Sequence, residues 1–321
     1  MLHTKESSVG KRKKRIVITG ILVLVLLVLL LFIVVFVWDF GCGPLIPMLR
    51  VHNDVQPEGN LGSAVNYLKS HFDSNVGLVY ESEDAGTRTI GGQTYRYNQI
   101  FWLYSDNLLA SWALKPYDAK LSCRINETIH SYTNQSSGFF EVLFGYPVSE
   151  DMRGANQLVV SQNSGWVVMA EFHNSSSTRL SWRIYGDTLI YQSLNEYLKG
   201  NRIAANQYFE EAYRMFDGKG VNDLATKTDG KYATYKLALL LYAAKILNYP
   251  TLSGENNQSY KDIENRLWSL QQQNGGITSL SDLNGKPVGS ANTETTAITL
   301  LQYNNELIAR MHSTFGTYQQ K

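Results

Sequence analysis

Asp106, Asp187 and Glu294 stand near the starts of three segments that read as helices. Their openings are similar and polar: Tyr104-Ser105-Asp106-Asn107, Tyr185-Gly186-Asp187-Thr188 and Asn292-Thr293-Glu294-Thr295. A fourth acid, Glu81, begins the acidic run Glu81-Ser82-Glu83-Asp84. Two carboxylates facing each other across a cleft can act as general acid and general base on a glycosidic bond, in inverting or retaining spacing. Trp102, Tyr104, Trp182, Tyr185 and Tyr235 lie near these acids in sequence and offer flat faces for sugar rings, with Lys236 as a polar contact. The catalytic candidates are thus Asp106, Glu294, Glu81 and Asp187, with Asp106 paired to Glu294 or to Glu81. Acids at helix starts also cap free backbone N–H groups, for about 1 kcal/mol each, and an acidic run also reads as a solvated loop. On sequence alone both readings stay open.

Other chemistries lack their residues. The histidines, His3, His52, His71, His130, His173 and His312, form no H-x-H or H-E-x-x-H pair, and no cysteine pair has metal-ligand spacing, so no metal is expected. No G-x-S-x-G elbow, P-loop or dinucleotide glycine fingerprint occurs, so no cofactor is expected. Cys42 and Cys123 are the only cysteines; an oxidising compartment would permit one disulfide between them, and two unrelated thiols are the alternative.

Charge and hydropathy divide the chain. The first fifteen residues carry six Lys/Arg and one Glu against a net charge of +1 for the whole chain, so the remainder is mildly acidic. From Ile16 to Trp38 runs an uncharged stretch rich in Leu, Val and Ile. Its ~23 residues would span about 34 Å as a helix, enough to cross a bilayer with some tilt. The basic cluster before it predicts a cytoplasmic N-terminus and an extracytoplasmic remainder. The expected organisation is a basic tail at 1–15, a signal-anchor helix at 16–38, a Pro/Gly-rich stalk at 39–60, one domain at 61–312 and a tail at 313–321. Membrane lipid is the partner expected at 16–38, and nothing points to nucleic acid. Asn126, Asn134, Asn174 and Asn257 occupy N-x-S/T sequons, possible glycosylation sites outside the cell.

The elements that must position the acids recur. Four glycine corners, Gly77-Leu78-Val79-Tyr80, Gly138-Phe139-Phe140-Glu141, Gly220-Val221-Asn222-Asp223 and Gly276-Ile277-Thr278-Ser279, each join an amphipathic helix through a loop to a second helix. The pairs read as Ser63–Phe72 with Ile100–Leu114, Asp118–Tyr132 with Thr188–Leu198, Ile203–Phe216 with Tyr232–Leu247, and Tyr260–Gln273 with Thr293–His312. The second helices are mostly the more apolar and belong inside. Alternating segments between 138 and 183 predict a small antiparallel β insertion, and Gly91-Gly92 a short hairpin.

The stretch Leu267-Trp268-Ser269-Leu270-Gln271-Gln272-Gln273-Asn274-Gly275-Gly276-Ile277 resembles the helix-to-glycine corners of α/α toroids: terpenoid cyclases, protein prenyltransferases and six-hairpin glycosidases. Asn66 to Leu78 is similar to a looser copy, and Tyr104 to Ala110 is similar to inner-helix openings of the glycosidase-like branch. The Asp-rich ionisation motif and the zinc set of the isoprenoid branches are absent. The resemblance implies a mainly α fold, an α/α-hairpin toroid of about four pairs, with the polar helix openings converging on a central cavity. The function it implies is a membrane-anchored extracytoplasmic protein acting on or binding glycans. The alternative is a non-catalytic surface module binding glycans or a cell-envelope protein, with lipid or isoprenoid handling behind both.

Overall fold

The computed structural model describes residues 60–135, 137–148, 155–173, 182–249 and 258–316. The apolar run 16–38 lies outside the described residues, as do the basic tail and all but the last residue of the stalk. Among the described residues no helix is long and apolar enough to cross a membrane.

Ten α-helices and four small sheets appear among the described residues. In chain order they are α1 (Leu61–Ser70), β1 (Phe72–Asp73), β2 (Leu78–Val79), β3 (Thr87–Ile90), β4 (Gln93–Arg96), β5 (Ile100–Trp102), α2 (Leu109–Leu114), α3 (Ala119–Tyr132), β6 (Ala155–Gln162) and β7 (Val167–His173). There follow α4 (Gly186–Leu198), α5 (Arg202–Tyr213), α6 (Leu224–Asp229), β8 (Lys231–Ala233), α7 (Tyr235–Leu247), α8 (Gln258–Trp268), β9 (Thr278–Asp282), β10 (Pro287–Ala291), α9 (Thr293–Leu301) and α10 (Asn305–Thr314).

This corrects the expected toroid of helical hairpins with one antiparallel insertion. Strands are spread along the described chain rather than confined to 138–183, and β5 pairs in parallel with β7 while β6 pairs antiparallel with it, so that sheet is mixed. Ile100-Phe101-Trp102, expected to begin a helix, is β-branched and aromatic and joins this sheet instead. Phe139–Phe144, expected as a strand, lies within a 3-10 helix, Gly138–Phe144. The expected helix Thr293–His312 is two, because the Asn304 side chain accepts from Leu307 N and starts α10 afresh. The layers survive in altered form. Helices α2, α9, α7 and α4 pack side by side in that order, with α3, α8 and α5 outside them. Next to α4 comes the 3-10 helix, which packs on β7.

Three of the four glycine corners share one construction, and their sequence similarity was a true sign of it. In each, an antiparallel bridge closes a turn: Phe72 with Val79, Phe216 with Val221, and Gln271 with Ile277. An Asx side chain accepts from the turn's backbone N–H groups: Asp73 from Asn75 and Val76, Asp217 from Lys219 and Gly220, and Asn274 from Gly276. At the last corner Gly275 takes a φ of +93° against the backbone of Ser63, and Gly276 leaves no room for a Cβ beside Tyr67 and Ala291. The second corner, at Gly138, follows a different path into the 3-10 helix.

The core falls into two clusters, a large one built mainly from the helices and a small one of Ile90, Tyr95, Ile100, Trp102, Val167 and Met169. Helix α7 is enclosed almost all round, from Lys236 to Leu247, as its apolar sequence requires. Between β5 and α2 the chain makes a π-helical turn, Leu103–Leu108. Asn107, fully buried, fixes that turn: its Oδ1 accepts from Val79 N at 2.7 Å and its Nδ2 donates to the carbonyl oxygens of Val79 and Trp102, each at 2.9 Å. Asn107→Ala would leave these backbone groups unpaired, so we expect it to lose roughly 3 kcal/mol in urea unfolding. A loss below about 1 kcal/mol would show that the turn holds itself.

Candidate functional site

Five carboxylates come within electrostatic reach of one another, each delivered by a different element. Glu81 follows β2. Its backbone N–H donates to the Ile100 carbonyl at 2.9 Å and its carbonyl accepts from Thr293 N at 3.0 Å, so it is pinned between β5 and the start of α9. Its Oε2 accepts from the Trp102 indole N–H at 2.9 Å. Asp106 projects from the π-helical turn that Asn107 fixes, a backbone irregularity often found at functional sites. Glu171 lies near the end of β7 and its Oε1 accepts from the Ser105 hydroxyl at 2.7 Å. Asp187 lies in the first turn of α4; its Oδ1 accepts from Thr188 N and its Oδ2 from the Tyr235 hydroxyl at 2.6 Å. Glu294 lies in the first turn of α9.

Burial and mutual repulsion set the protonation of this group. Asp106 is 2% exposed, and its Oδ2 is buried without a hydrogen-bond partner. Burial first, then Glu81, Glu294 and Glu171, hold its carboxyl well above the ordinary carboxylate range. Burial pushes Glu294 up to about 8, with Glu171, Glu81 and Asp187 adding to the rise. It pushes Glu171 up to about 7, against the hydrogen bonds from Ser105. Glu81 also rises through burial, opposed by the Trp102 hydrogen bond and by Arg88. Tyr191 and Tyr235, buried among the same acids, are driven further from ionisation, first by burial and then by charges that include Glu294 and Asp187. A helix N-terminus favours an anion by about 0.3–1 kcal/mol. The rise at Glu294 corresponds to several kcal/mol, so desolvation overrides the helix. Glu81, Glu171, Asp187 and Glu294 are half-buried, and Asp106 alone of the five is fully buried.

The four acids expected from sequence are therefore together, and Trp102 and Tyr235 are hydrogen-bonded to two of them. The other expected binding residues are differently engaged. Tyr104 is buried and donates its hydroxyl to the Gln135 carbonyl. Trp182 packs edge-on against Tyr208, under the Arg183 guanidinium. Tyr185 is the residue preceding α4. Lys236 is spent on Asp223 in a buried ion pair. Asp223 also accepts from Gly186 N and, as the cap of α6, from Thr226 N. This ion pair thus ties the start of α7 to the start of α4, and so holds Tyr235 against Asp187. Asp84 is structural, accepting from Gly86 N and from the Ser290 hydroxyl.

Glu171, Ser105 and Tyr191 were not singled out from sequence. The signal for Glu171 was a charge inside the apolar alternation Val167-Val168-Met169-Ala170-Glu171-Phe172. It shares a strand face with Val167 and Met169, which pack with Ile100 and Trp102. Among the described residues no group of three or more His, Cys, Asp or Glu side chains is arranged to hold a metal ion. Cys123 is disulfide-bonded; Cys42 lies outside the described residues. Of the sequons, Asn126 is half-buried within α3 and Asn134 is exposed beyond its end, while Asn174 and Asn257 lie outside the described residues.

Glu294 and Glu171 hold protons more tightly folded than unfolded. Stability is therefore present at low pH and falls as pH rises from the ordinary carboxylate range through about 7 and 8. We expect the melting temperature to drop between pH 5 and pH 8.5 in calorimetry, and Glu294→Gln to flatten that slope; a melting temperature that rises with pH would contradict this electrostatic account. Lys236→Met, which leaves Asp223 charged and buried alone, should cost about 3–5 kcal/mol in chemical unfolding. Adding Asp223→Asn should recover part of that loss.

No protein-family model, curated protein or solved structure matches this chain, so the site must be read from its own geometry.

Proposed function

We propose that this protein hydrolyses glycosidic bonds by general acid–base catalysis at the carboxylate cluster. The observation that carries the reading is that Glu294 is raised to about 8 within a cluster of carboxyls that also holds Glu81, itself raised by burial against the opposing pull of Trp102 and Arg88. A carboxyl still protonated at neutral pH can serve as the general acid.

Glu294 is protonated at neutral pH and donates its proton to the glycosidic oxygen as the bond to the anomeric carbon breaks. Glu81, in its ionised form, would take a proton from the water that attacks that carbon. Glu171 and Asp187 add to the burial that keeps Glu294 protonated. Tyr191 and Tyr235 stay neutral and add aromatic surface and hydroxyls for a polyol. The disulfide at Cys123 fits an oxidising compartment. Placement outside the cytoplasm otherwise rests on the sequence of residues 11–38.

The test is release of reducing ends from a panel of polysaccharides and envelope glycans by the full chain. We expect Glu81→Gln and Glu294→Gln each to lower kcat by about 100-fold or more, with folding checked by circular dichroism. The pH profile of kcat/KM should fall on its alkaline side near the Glu294 value of about 8. Unchanged turnover in both variants would overturn the assignment. A folded protein that binds glycans without cleaving any would instead be a binding module.

A further inference from the structure

We propose that the glycan this site takes carries free amines, as in a polymer of glucosamine, and that its ammonium groups are the counter-charge for the carboxylate set. The inference rests on the glycan reading above and narrows its substrate class.

The cluster gathers carboxyl groups from five separate elements. Glu81 comes from the loop after β2, Asp106 from the π-helical turn, Glu171 from β7, Asp187 from α4 and Glu294 from α9. Tyr191 on α4 and Tyr235 on α7 add neutral hydroxyls. Cationic help from the protein is slight. Arg88 acts on Glu81 and lies over the Trp102 ring at 5.1 Å. Lys236, next to Tyr235, is held by Asp223.

Two acceptor atoms are left over. Asp106 Oδ2 and Glu171 Oε2 are buried and have no hydrogen-bond donor. A buried carboxyl oxygen without a hydrogen-bond partner costs free energy until something pairs with it. An occupant with N–H donors would pair both oxygens as the acids give up their protons, and its positive charge would relieve the repulsion as well.

The geometry selects the kind of cation. A metal needs ligand oxygens converging to about 2.0–2.6 Å from one point, and among the described residues no such group of side chains occurs. Acids delivered by separate elements without metal-ligand convergence suit an organic ammonium, whose three N–H donors can reach separate acceptors. A neutral sugar would supply donors but not the charge, and acetylation of the amine would remove it.

The experiment uses the full chain at pH 6, with hexamers of glucosamine and of N-acetylglucosamine and a hexalysine peptide. Binding is followed by titration calorimetry in two buffers of different ionisation enthalpy, and cleavage by chromatography. We expect the glucosamine hexamer to bind at least about tenfold more tightly than its acetylated counterpart, with protons released as the ammonium groups displace those shared by the acids. Glu171→Gln and Asp106→Asn should each reduce that preference several-fold. Glu171→Gln retains the result if Asp106→Asn fails to fold.

Equal binding of the two sugars, or a preference for the acetylated one, would overturn the inference and leave hydrolysis standing if either is cut. A glucosamine preference without cleavage of any sugar would sustain the inference and sink hydrolysis. Hexalysine binding as tightly as the glucosamine hexamer would overturn the assignment to a sugar.

Discussion

Carboxyl groups forced to share poorly solvated surroundings are the constraint on which the rest of this structure depends. Two like charges in such surroundings repel far more strongly than in water, because little solvent screens them. Five of them cannot all ionise near neutral pH, and the fold must resist the tendency of the group to spread. Protons take up part of the strain, most visibly at Glu294 and Asp106. The remainder has to be borne by the backbone that carries each acid.

That backbone is tied at the places where it would otherwise give. Glu81 is held through main-chain hydrogen bonds to Ile100 and Thr293, and the Thr293 hydroxyl donates to the Tyr80 carbonyl at 2.6 Å. Asn107 locks the turn that bears Asp106 to β2 and β5. Asp223 and Lys236 couple the starts of α4 and α7. Each tie lies within a residue or two of a site side chain and is itself buried or half-buried. These ties are satisfied, while Asp106 Oδ2 and Glu171 Oε2, together with the neighbouring Tyr67 hydroxyl and Thr234 Oγ1, are left without a hydrogen-bond partner. An apolar core that encloses α7 and the inner face of α9 gives the ties something rigid to pull against.

Sequence patterning carried a good part of this, and its failures have physical reasons. The helix openings at Asp106, Asp187 and Glu294 were legible because glycine corners and polar helix starts recur, and three of the corners are closed by an antiparallel bridge with an Asx side chain in the turn, although the turns differ in length. The strand at Ile100–Trp102 was misread as helix because a short apolar run has no period that separates the two, and its pairing partner β7 lies more than sixty residues on. Glu171 was missed for the same reason: only the parallel pairing of β5 with β7 brings it beside Ser105. Lys236 was assigned to the ligand because its neighbours pointed there, whereas a buried cation needs a partner, and Asp223 supplies one. The expected ring failed because local periodicity says which face of a helix is apolar and nothing about which helices become neighbours.

The rival explanation of the acids, that they cap helices, is decided by which residues do the capping. Helix α9 is capped by Asn292, whose side chain accepts from Thr295 N at 3.0 Å. The caps of α1, α3, α5, α6 and α10 are likewise Asn60, Asp118, Asn201, Asp223 and Asn304. At α4 the N–H of Gly186 is satisfied by Asp223. Glu294 and Asp106 serve as N-cap for none of these helices, and Asp187 divides itself between Thr188 N and the Tyr235 hydroxyl. Their burial costs stability, and no helix cap repays Glu294 or Asp106 for it. An arrangement that costs the folded state free energy, yet is braced by surrounding hydrogen bonds, has the character of a site held ready for a ligand. What the fold alone leaves unpaired, a buried oxygen on Asp106 and another on Glu171, is what an incoming donor would complete.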